Sequence, residues 1–372
     1  MVDIKEVKTH RQRRQFLDFP LKMYKKNPYF CPPIYSDEMK LFSSVNIYND
    51  QSESVFFIAY RDGKVVGRIQ GILQLASNKK HNEKRIRFTR FDAIDDQEVA
   101  DALFKAVEDW GRSIGMDTIC GPLGYSDLDR EGLLIEGFDH INTFEEQYNY
   151  DYYQKLIEHN GYEKEVDWVE FKIEPPELDS DRMMRLSTKM LKKFNLHVAE
   201  AKNKKDFIRK YADKFFELLD NSYVDLYGTV PFTPAMKKAM IANFNQIINL
   251  DLAVFILDEN EKLVCFGISF PSITKALQPS QGHFTLPCLL RLRKAIKSPD
   301  ILDLGLIGVV PEYLHLGVSS YILAKLLAYL KVHPIKWAET NLNLENNIHI
   351  QAQWKNFKAT QHKRRRAFVK HL

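Results

Sequence analysis

The sequence predicts an α+β fold, built as a mixed α/β sheet that occurs in two similar units in tandem. Three observations predict it. The chain has 372 residues, enough for two domains of roughly 100–200 residues each. One order of elements can be read twice along it: a strand, one or two helices, a hairpin, then strand, helix, strand, helix, strand. The hairpins SVFFIAYRDGKVVGRIQG and AVFILDENEKLVCFGISF share a pattern of apolar strand, polar turn, Lys and two apolar residues.

Composition narrows the class. Hydrophobic residues at 45% and aromatic residues at 12% allow real cores and exclude a disordered chain. A net charge of +4 is small for this length and does not point to DNA. The four cysteines, Cys31, Cys120, Cys265 and Cys288, have no metal-ligand spacing. They are expected as buried, reduced thiols of a cytoplasmic protein. The opening stretch MVDIKEVKTHRQRRQ lacks an apolar core, so no signal peptide is expected. No apolar run reaches the ~18 residues of a membrane span, so no membrane partner is expected. The histidines show no ligand spacing, so no metal is expected.

In order, residues 2–8 alternate as a first strand. Thr9 is a fair N-cap for a helix to about residue 26, with Pro20 a point of kinking. An aromatic-rich loop, 27–33, leads to strands 55–60 and 65–75 joined at Asp62-Gly63, a strong hairpin signal. Strand 86–94 follows, then a helix from Asp95-Asp96 to Ile114 whose apolar face is Val99, Leu103, Val107 and Trp110. Strand 117–120 precedes an irregular, carboxylate-rich stretch, 121–150, of the kind usually kept for binding. A helix at 152–160 and a strand at 168–173 complete the first unit. The two prolines of EPPELDS place a boundary there, giving domains 1–175 and 176–372.

The second unit reads as strand 195–201, helix 204–221, helix 235–249, the second hairpin and a basic, partly helical insertion at 271–300. Residues 301–330 read as strand, break at Val310-Pro311, then helix from about Gly317, with Val318, Ile322, Leu326 and Leu330 four apart. Such a junction aims free backbone N–H groups at an anion. Strand 337–342, a helix from about 346 and a last strand at 366–371 follow.

The run Val309-Val310-Pro311-Glu312-Tyr313, with Gly317, resembles motif A of the GNAT acyltransferases, the acetyl-CoA-dependent N-acetyltransferase superfamily. The block GPLGYSDLDREGLLIEGFD is similar to that of two-domain bacterial GNAT proteins of this length. The resemblance implies two tandem GNAT-like folds, with acetyl-CoA or another acyl-CoA bound without a covalent link. In such proteins the strand before the loop splays from its neighbour and its backbone pairs with the pantetheine arm. Carried over, the cofactor contacts would be Val309, Val310, Leu316, Gly317, Val318, Ser319, Ser320 and Asn347. Leu314 stands where the family has Arg or Gln, and Ser319 replaces its last Gly. At the matching junction of the first unit, 91–97 carries three carboxylates and no glycine, so no CoA is expected there.

The family's usual Tyr acid falls at Trp354, which cannot titrate usefully. Tyr313 is left as the candidate proton donor. In the acidic stretch, Asp129 and Glu131 are candidate bases for an amine nucleophile, and Tyr125, Asp127 and Glu136 candidate acceptor-site residues. The run 363–366 (KRRR) is expected as a solvated basic face. The leading expectation is an N-acyltransferase acting by direct transfer on a small-molecule amine or peptide. One alternative is a Fem-like aminoacyl-tRNA-dependent transferase, in which Arg291 to Lys297 and Lys363 to Arg366 would meet tRNA; an acyl carrier protein is a further anionic partner. Another is a non-catalytic, ligand-binding tandem GNAT fold. The oligomeric state is left open.

Overall fold

A computed structural model of the chain describes residues 1–175, 180–222, 226–354 and 357–372. The strands of the first half are β1 (Asp3–Glu6), β2 (Ser52–Arg61), β3 (Lys64–Gln74), β4 (Arg85–Ala93), β5 (Thr118–Gly121), β6 (Leu133–Glu136) and β7 (Glu163–Glu174). Those of the second are β8 (His197–Val198), β9 (Ala253–Leu257), β10 (Leu263–Pro271), β11 (Ile301–Val309), β12 (Trp337–Thr340), β13 (Asn343–Leu344) and β14 (Lys358–His371). The helices are α1 (His10–Met23), α2 (Tyr35–Lys40), α3 (Leu75–His81), α4 (Gln97–Ser113), α5 (Tyr152–His159) and α6 (Ser180–Lys193). They continue as α7 (Lys204–Ser222), α8 (Pro234–Ile247), α9 (Thr274–Leu277), α10 (Leu286–Lys297), α11 (Ser319–Val332) and α12 (Ile348–Trp354).

Local chemistry sets many of these bounds. Thr9 and Gln12 form a reciprocal capping box at the start of α1. Asp62 and Gly63 both take positive φ, the twist a two-residue hairpin needs between β2 and β3. Asp96 caps α4 by accepting from the Val99 N–H at 3.2 Å. The helices α2, α3 and α6 were not anticipated; α6 follows the proposed boundary, where residues 176–179 lie outside the described residues.

All the strands join one sheet in the order β1-β2-β3-β4-β5-β14-β7-β12-β11-β10-β9-β8, with β13 on β7 and β6 on β14. The sheet is mixed: β4–β5 and β11–β12 are parallel, the other pairs antiparallel. Two pairings were invisible in the linear order. The strand β14 is longer than the expected 366–371 and lies between β5 and β7 of the first half. The strand β7 then pairs with β12 of the second half.

Helices cover the sheet and make the cores. Leu103, Phe104 and Val107 of α4 pack on Ile69, Phe88 and Phe91. Phe207, Tyr211 and Phe215 of α7 pack on Phe255 and Phe266. Leu323, Leu326 and Leu330 of α11 pack on Ile173, Leu302 and Ala338. Each fully buried Leu or Phe contributes about 1.5–3 kcal/mol relative to exposure.

The basic run does not form a solvated face. Strand alternation sends Lys363 and Arg365 to one side, fully buried, and Arg364 and Arg366 to the other. Lys363 bonds Glu339, and reaches Glu146 at 3.0 Å and Glu170 at 3.3 Å. Arg365 meets Glu170 at 2.6 Å and Glu146 at 3.2 Å. Arg364 and Arg366 hold the buried carboxylate of Asp167 at 3.0 and 2.8 Å. Charges this deep persist only when paired, and their partners come from both halves of the chain. Lys363 and Arg365 therefore cannot be the tRNA contacts considered above.

Candidate functional site

The site begins where two parallel strands part. Register between β11 and β12 runs from Ile301/Trp337 to Leu304/Thr340, and the Asn341 N–H still reaches the Leu304 carbonyl at 3.1 Å. Then β12 ends, while β11 continues to Val309 paired only with β10 among the described strands. Gly305 is skipped in the β10 pairing, a bulge between Leu304 and Leu306. A side chain at 305 would strike the Phe270 ring at 2.6 Å, so the bulge needs glycine.

A cavity of about 460 Å³ threads this gap. Leu304, Gly305, Leu306 and Ile307 line it from β11, and Thr340 and Asn341 from the end of β12. Beyond the sheet it meets Ile322, Leu323 and Leu326 of α11. Leu323 and Leu326 lie on the face of Leu302 and Ala338. Phe144 and Glu145 also line it, and their neighbour Glu146 bonds Lys363 on the opposite face. The cavity therefore joins the two faces of the sheet. Its apolar wall includes Met236, Met240 and Phe244, spaced four apart on α8, with Phe232, Ile268 and Phe270.

The acidic stretch forms the other end. Asp127, Asp129 and Glu131 all line the cavity, with Tyr48 and Glu38. Asp129 is tied down: it accepts from the Tyr125 and Arg130 N–H groups at 3.3 and 2.9 Å and lies 3.7 Å from Arg90. Glu38 receives two hydrogen bonds from Arg90, at 2.9 and 2.8 Å. Against the cost of burial, that guanidinium holds Glu38 at about 2. Glu131 differs. It is 7% exposed and has no hydrogen-bond partner among the described residues. Burial pushes its carboxyl well above the usual range, with the charge of Asp127 adding to the shift. Burial likewise raises Asp127 to about 6. Lys80 adds its charge at Asp127. Arg87 acts on both carboxyls, but its donors are directed to the Gly124 and Gly228 carbonyls and Ser77 Oγ. It lends charge to the pair rather than hydrogen bonds. Glu145 joins this end, raised to about 7 by burial and by Glu146.

The other expected residues are placed as follows. Tyr125 is buried beneath the site, donating toward Ser54, receiving from Gln70 and stacked on Tyr48 at 4.5 Å. Glu136 is exposed on β6 and lies 3.5 Å from Arg364, outside the cavity lining. Tyr313 packs over Leu191, Leu196 and Val264 with Val309, Val310 and Leu316. Burial and the carboxylates of Asp258, Glu312 and Glu259 raise its phenol, and it too lies outside the lining. Asn347 lines the cavity and caps α12 through Ile350 N–H at 3.2 Å. Trp354 also lines it and donates its indole N–H to Asn343 at 3.2 Å, so it is a buried positioning group and not an acid.

The loop after β11 fits an anion by its backbone. Residues Pro311–Leu316 form a 3-10 turn, and Gly317 takes φ +69° to turn into α11. The helix has no side-chain cap, and the amides of Gly317, Val318 and Ser319 have no backbone partner among the described residues. Unpaired amides at a helix start suit a phosphate. Leu314, where the family has a cation or amide, is exposed and supplies neither. None of the residues 309, 310 and 316–320 lines the cavity. Sequence reasoning missed the cavity wall; the i, i+4, i+8 spacing of Met236, Met240 and Phe244 was its one readable signal. One group of possible metal ligands is described, Glu170, Glu339 and His362. The Lys363 ammonium is bonded among them to Glu339 and Glu170, which supplies the positive charge that a metal would.

A parallel pair that splays before a loop and helix, repeated along one sheet, defines a class: the fold is that of the GNAT N-acetyltransferases, in tandem. A tandem GNAT protein from the clavulanic acid biosynthesis pathway superposes over the whole chain and 98% of its own, with a TM-score of 0.58 at 11% identity. No protein-family model matches the sequence. Among curated proteins, the chain is 25% identical to Protein YghO of Escherichia coli over 96% of this chain and 93% of that one. It is 27% identical to the bacterial ceramide synthase of Caulobacter vibrioides over 80% and 79%.

Proposed function

We propose that the protein is an N-acyltransferase that moves a long acyl chain from a thioester, carried by CoA, to an amine. One observation carries the reading. A largely apolar cavity runs through the splayed strands and ends at a carboxyl pair, Asp127 and Glu131, with no hydrogen-bonded cation among the described residues. The apolar wall suits a chain of many methylenes, and the acidic end suits an amine that arrives as a cation. The similarity to a ceramide synthase, whose name denotes amide formation on a long-chain amine, supports the same substrate class.

The residues act by position and proton balance. Burial raises both carboxyls, Asp127 to about 6 and Glu131 well above the usual range, so the pair is suited to taking up and passing on a proton near neutral pH. The pair first takes one proton from the cationic amine, which frees the nitrogen lone pair to attack the thioester carbonyl. The C–N bond forms, the C–S bond breaks, the second proton of that nitrogen passes to the departing thiolate, and the proton held by the pair is released to water. The amides at Gly317, Val318 and Ser319 would hold the phosphates of the donor, and the open edge of β11 its extended arm.

The test is a transfer assay with purified protein, acyl-CoA donors from acetyl to palmitoyl, and long-chain and short-chain amines. Amide product is read by mass spectrometry. Preference for long donors supports the reading. Acetyl transfer alone would redefine the substrate class, and no product with any pair would leave a ligand-binding role.

A further inference from the structure

We infer that α10 is an interfacial helix that seats the protein on an anionic lipid bilayer. The outward stripe of α10 is Leu286, Leu289, Leu290, Arg293, Lys294 and Lys297, at the spacing of one helical face. Its first half is apolar and open: Leu286 is 72% exposed, Leu289 49% and Leu290 61%, and the preceding Phe284 is 51% exposed. Its second half is cationic. Arg293, Lys294 and Lys297 are exposed and make no ion pair among the described residues, and the helix carries no acidic residue.

The helix is rigidly mounted. Thr285 caps it through the Cys288 N–H at 3.3 Å, and Pro287 occupies its first turn. On the inner side Cys288 is fully buried and Leu292 packs beside Ile34, Phe144, Ile273 and Leu277. Arg291 is drawn inward to the Ala276 carbonyl at 3.1 Å. Three leucines held outward on a fixed helix, with Phe284 just before it, cost free energy in water that burial in an acyl boundary recovers.

Charge selects the occupant. Protein interfaces are depleted in lysine, whereas a bilayer surface rich in anionic headgroups attracts each nearby Lys or Arg. The stripe divides along its length, so the leucines would enter below the headgroups with Arg293, Lys294 and Lys297 at phosphate level. A groove lined in part by His283 continues the positive surface through Arg14 and Lys22, with Asp18 engaged by the Tyr35 hydroxyl at 2.9 Å. The placement also has a route to the site. Ile34 and Phe144, against which α10 packs, both line the cavity. No described helix is long and apolar enough to cross a membrane, and this mode of binding needs none. A bilayer was not among the partners expected from the sequence.

The test uses the full chain and no acyl donor, so its outcome is separate from that of the transfer assay. Co-sedimentation is measured with phosphatidylcholine vesicles, with and without phosphatidylglycerol. The protein should pellet with the anionic vesicles and be released by salt. Replacing Leu286, Leu289 and Leu290 together by Ser should weaken binding by about tenfold or more. Replacing Arg293, Lys294 and Lys297 together by Gln should weaken it on the order of a hundredfold. Both variants should keep the wild-type melting temperature, because the side chains face outward. If a triple variant melts early, Leu290→Ser and the salt titration of the wild type decide. Wild type that stays in the supernatant, equal binding to neutral vesicles, or binding untouched by both triples overturns the proposal. So does a dimer that the Leu variant converts to monomer without any vesicle binding, which would make the face a contact between copies.

Discussion

The two parallel strand-to-helix junctions of this sheet have diverged in what satisfies their amides. In the first half, β4 leads to Asp96, whose carboxylate caps α4 and is itself bound by Arg61 at 2.6 and 3.0 Å. The protein's own anion occupies the start of that helix. In the second half, Gly317 turns the chain into α11 with no side-chain cap, and three amides are left unpaired. The same backbone geometry thus carries its own anion in one half and, among the described residues, leaves its amides without a protein partner in the other, which is what the proposed donor site requires. The first half contributes something else, the Asp127–Glu131 pair at the far end of the cavity.

Five substitutions probe that division, the first two with a pH profile. Glu131→Gln should lower the transfer rate by about 10²–10⁴-fold while leaving donor binding intact. A carboxyl raised in the fold weakens stability as pH climbs above the ordinary range of about 4.3, so the Gln variant should melt no earlier than wild type at neutral pH. In the wild type, rate should fall as pH drops below about 6, where Asp127 takes up a proton and can no longer accept the amine's, and Asp127→Asn should remove that limb. If Glu131→Gln instead abolishes donor binding, the halves do not divide binding from proton transfer.

Next in size is Lys363→Ala, expected to cost about 3–5 kcal/mol in denaturant unfolding, because Glu146, Glu170 and Glu339 lose their shared cation. A near-neutral result would mean that the buried cluster does not hold the halves together. Ser319→Asp gives the second junction an acid like the first, and should weaken acyl-CoA binding by about tenfold with little loss of stability. Unchanged binding by calorimetry would remove the α11 amides from the site. The smallest effect is expected from Asp96→Ala: about 1 kcal/mol of stability lost, and no change in transfer.

How much of this was legible depended on range in sequence. The Asp62-Gly63 hairpin, the Thr9 cap, the face of α4 and the break at Val310-Pro311 are local, and each was read from a few neighbouring residues. The acidic stretch was expected to be a binding loop, yet no sequence rule separates Asp129, pinned by its own turn, from Glu131, which has no hydrogen-bond partner among the described residues. The run 363–366 misled for a related reason. Four cations in a row suggest water, but strand alternation divides them, and the Lys363 and Arg365 carboxylates come from distant strands and loops. The cavity was hidden because its walls meet only when β11 and β12 part.

The position of β14 bears on how the protein is made. Until residues 358–371 leave the ribosome, β5 and β7 each present an open edge in the middle of the sheet. Earlier segments can collapse, but the first half cannot complete its hydrogen bonding from its own residues. The nascent chain therefore carries two sticky edges for nearly the whole of its synthesis, a natural client for a chaperone. A premature stop anywhere before 358 should yield not one sound half but aggregation-prone chain.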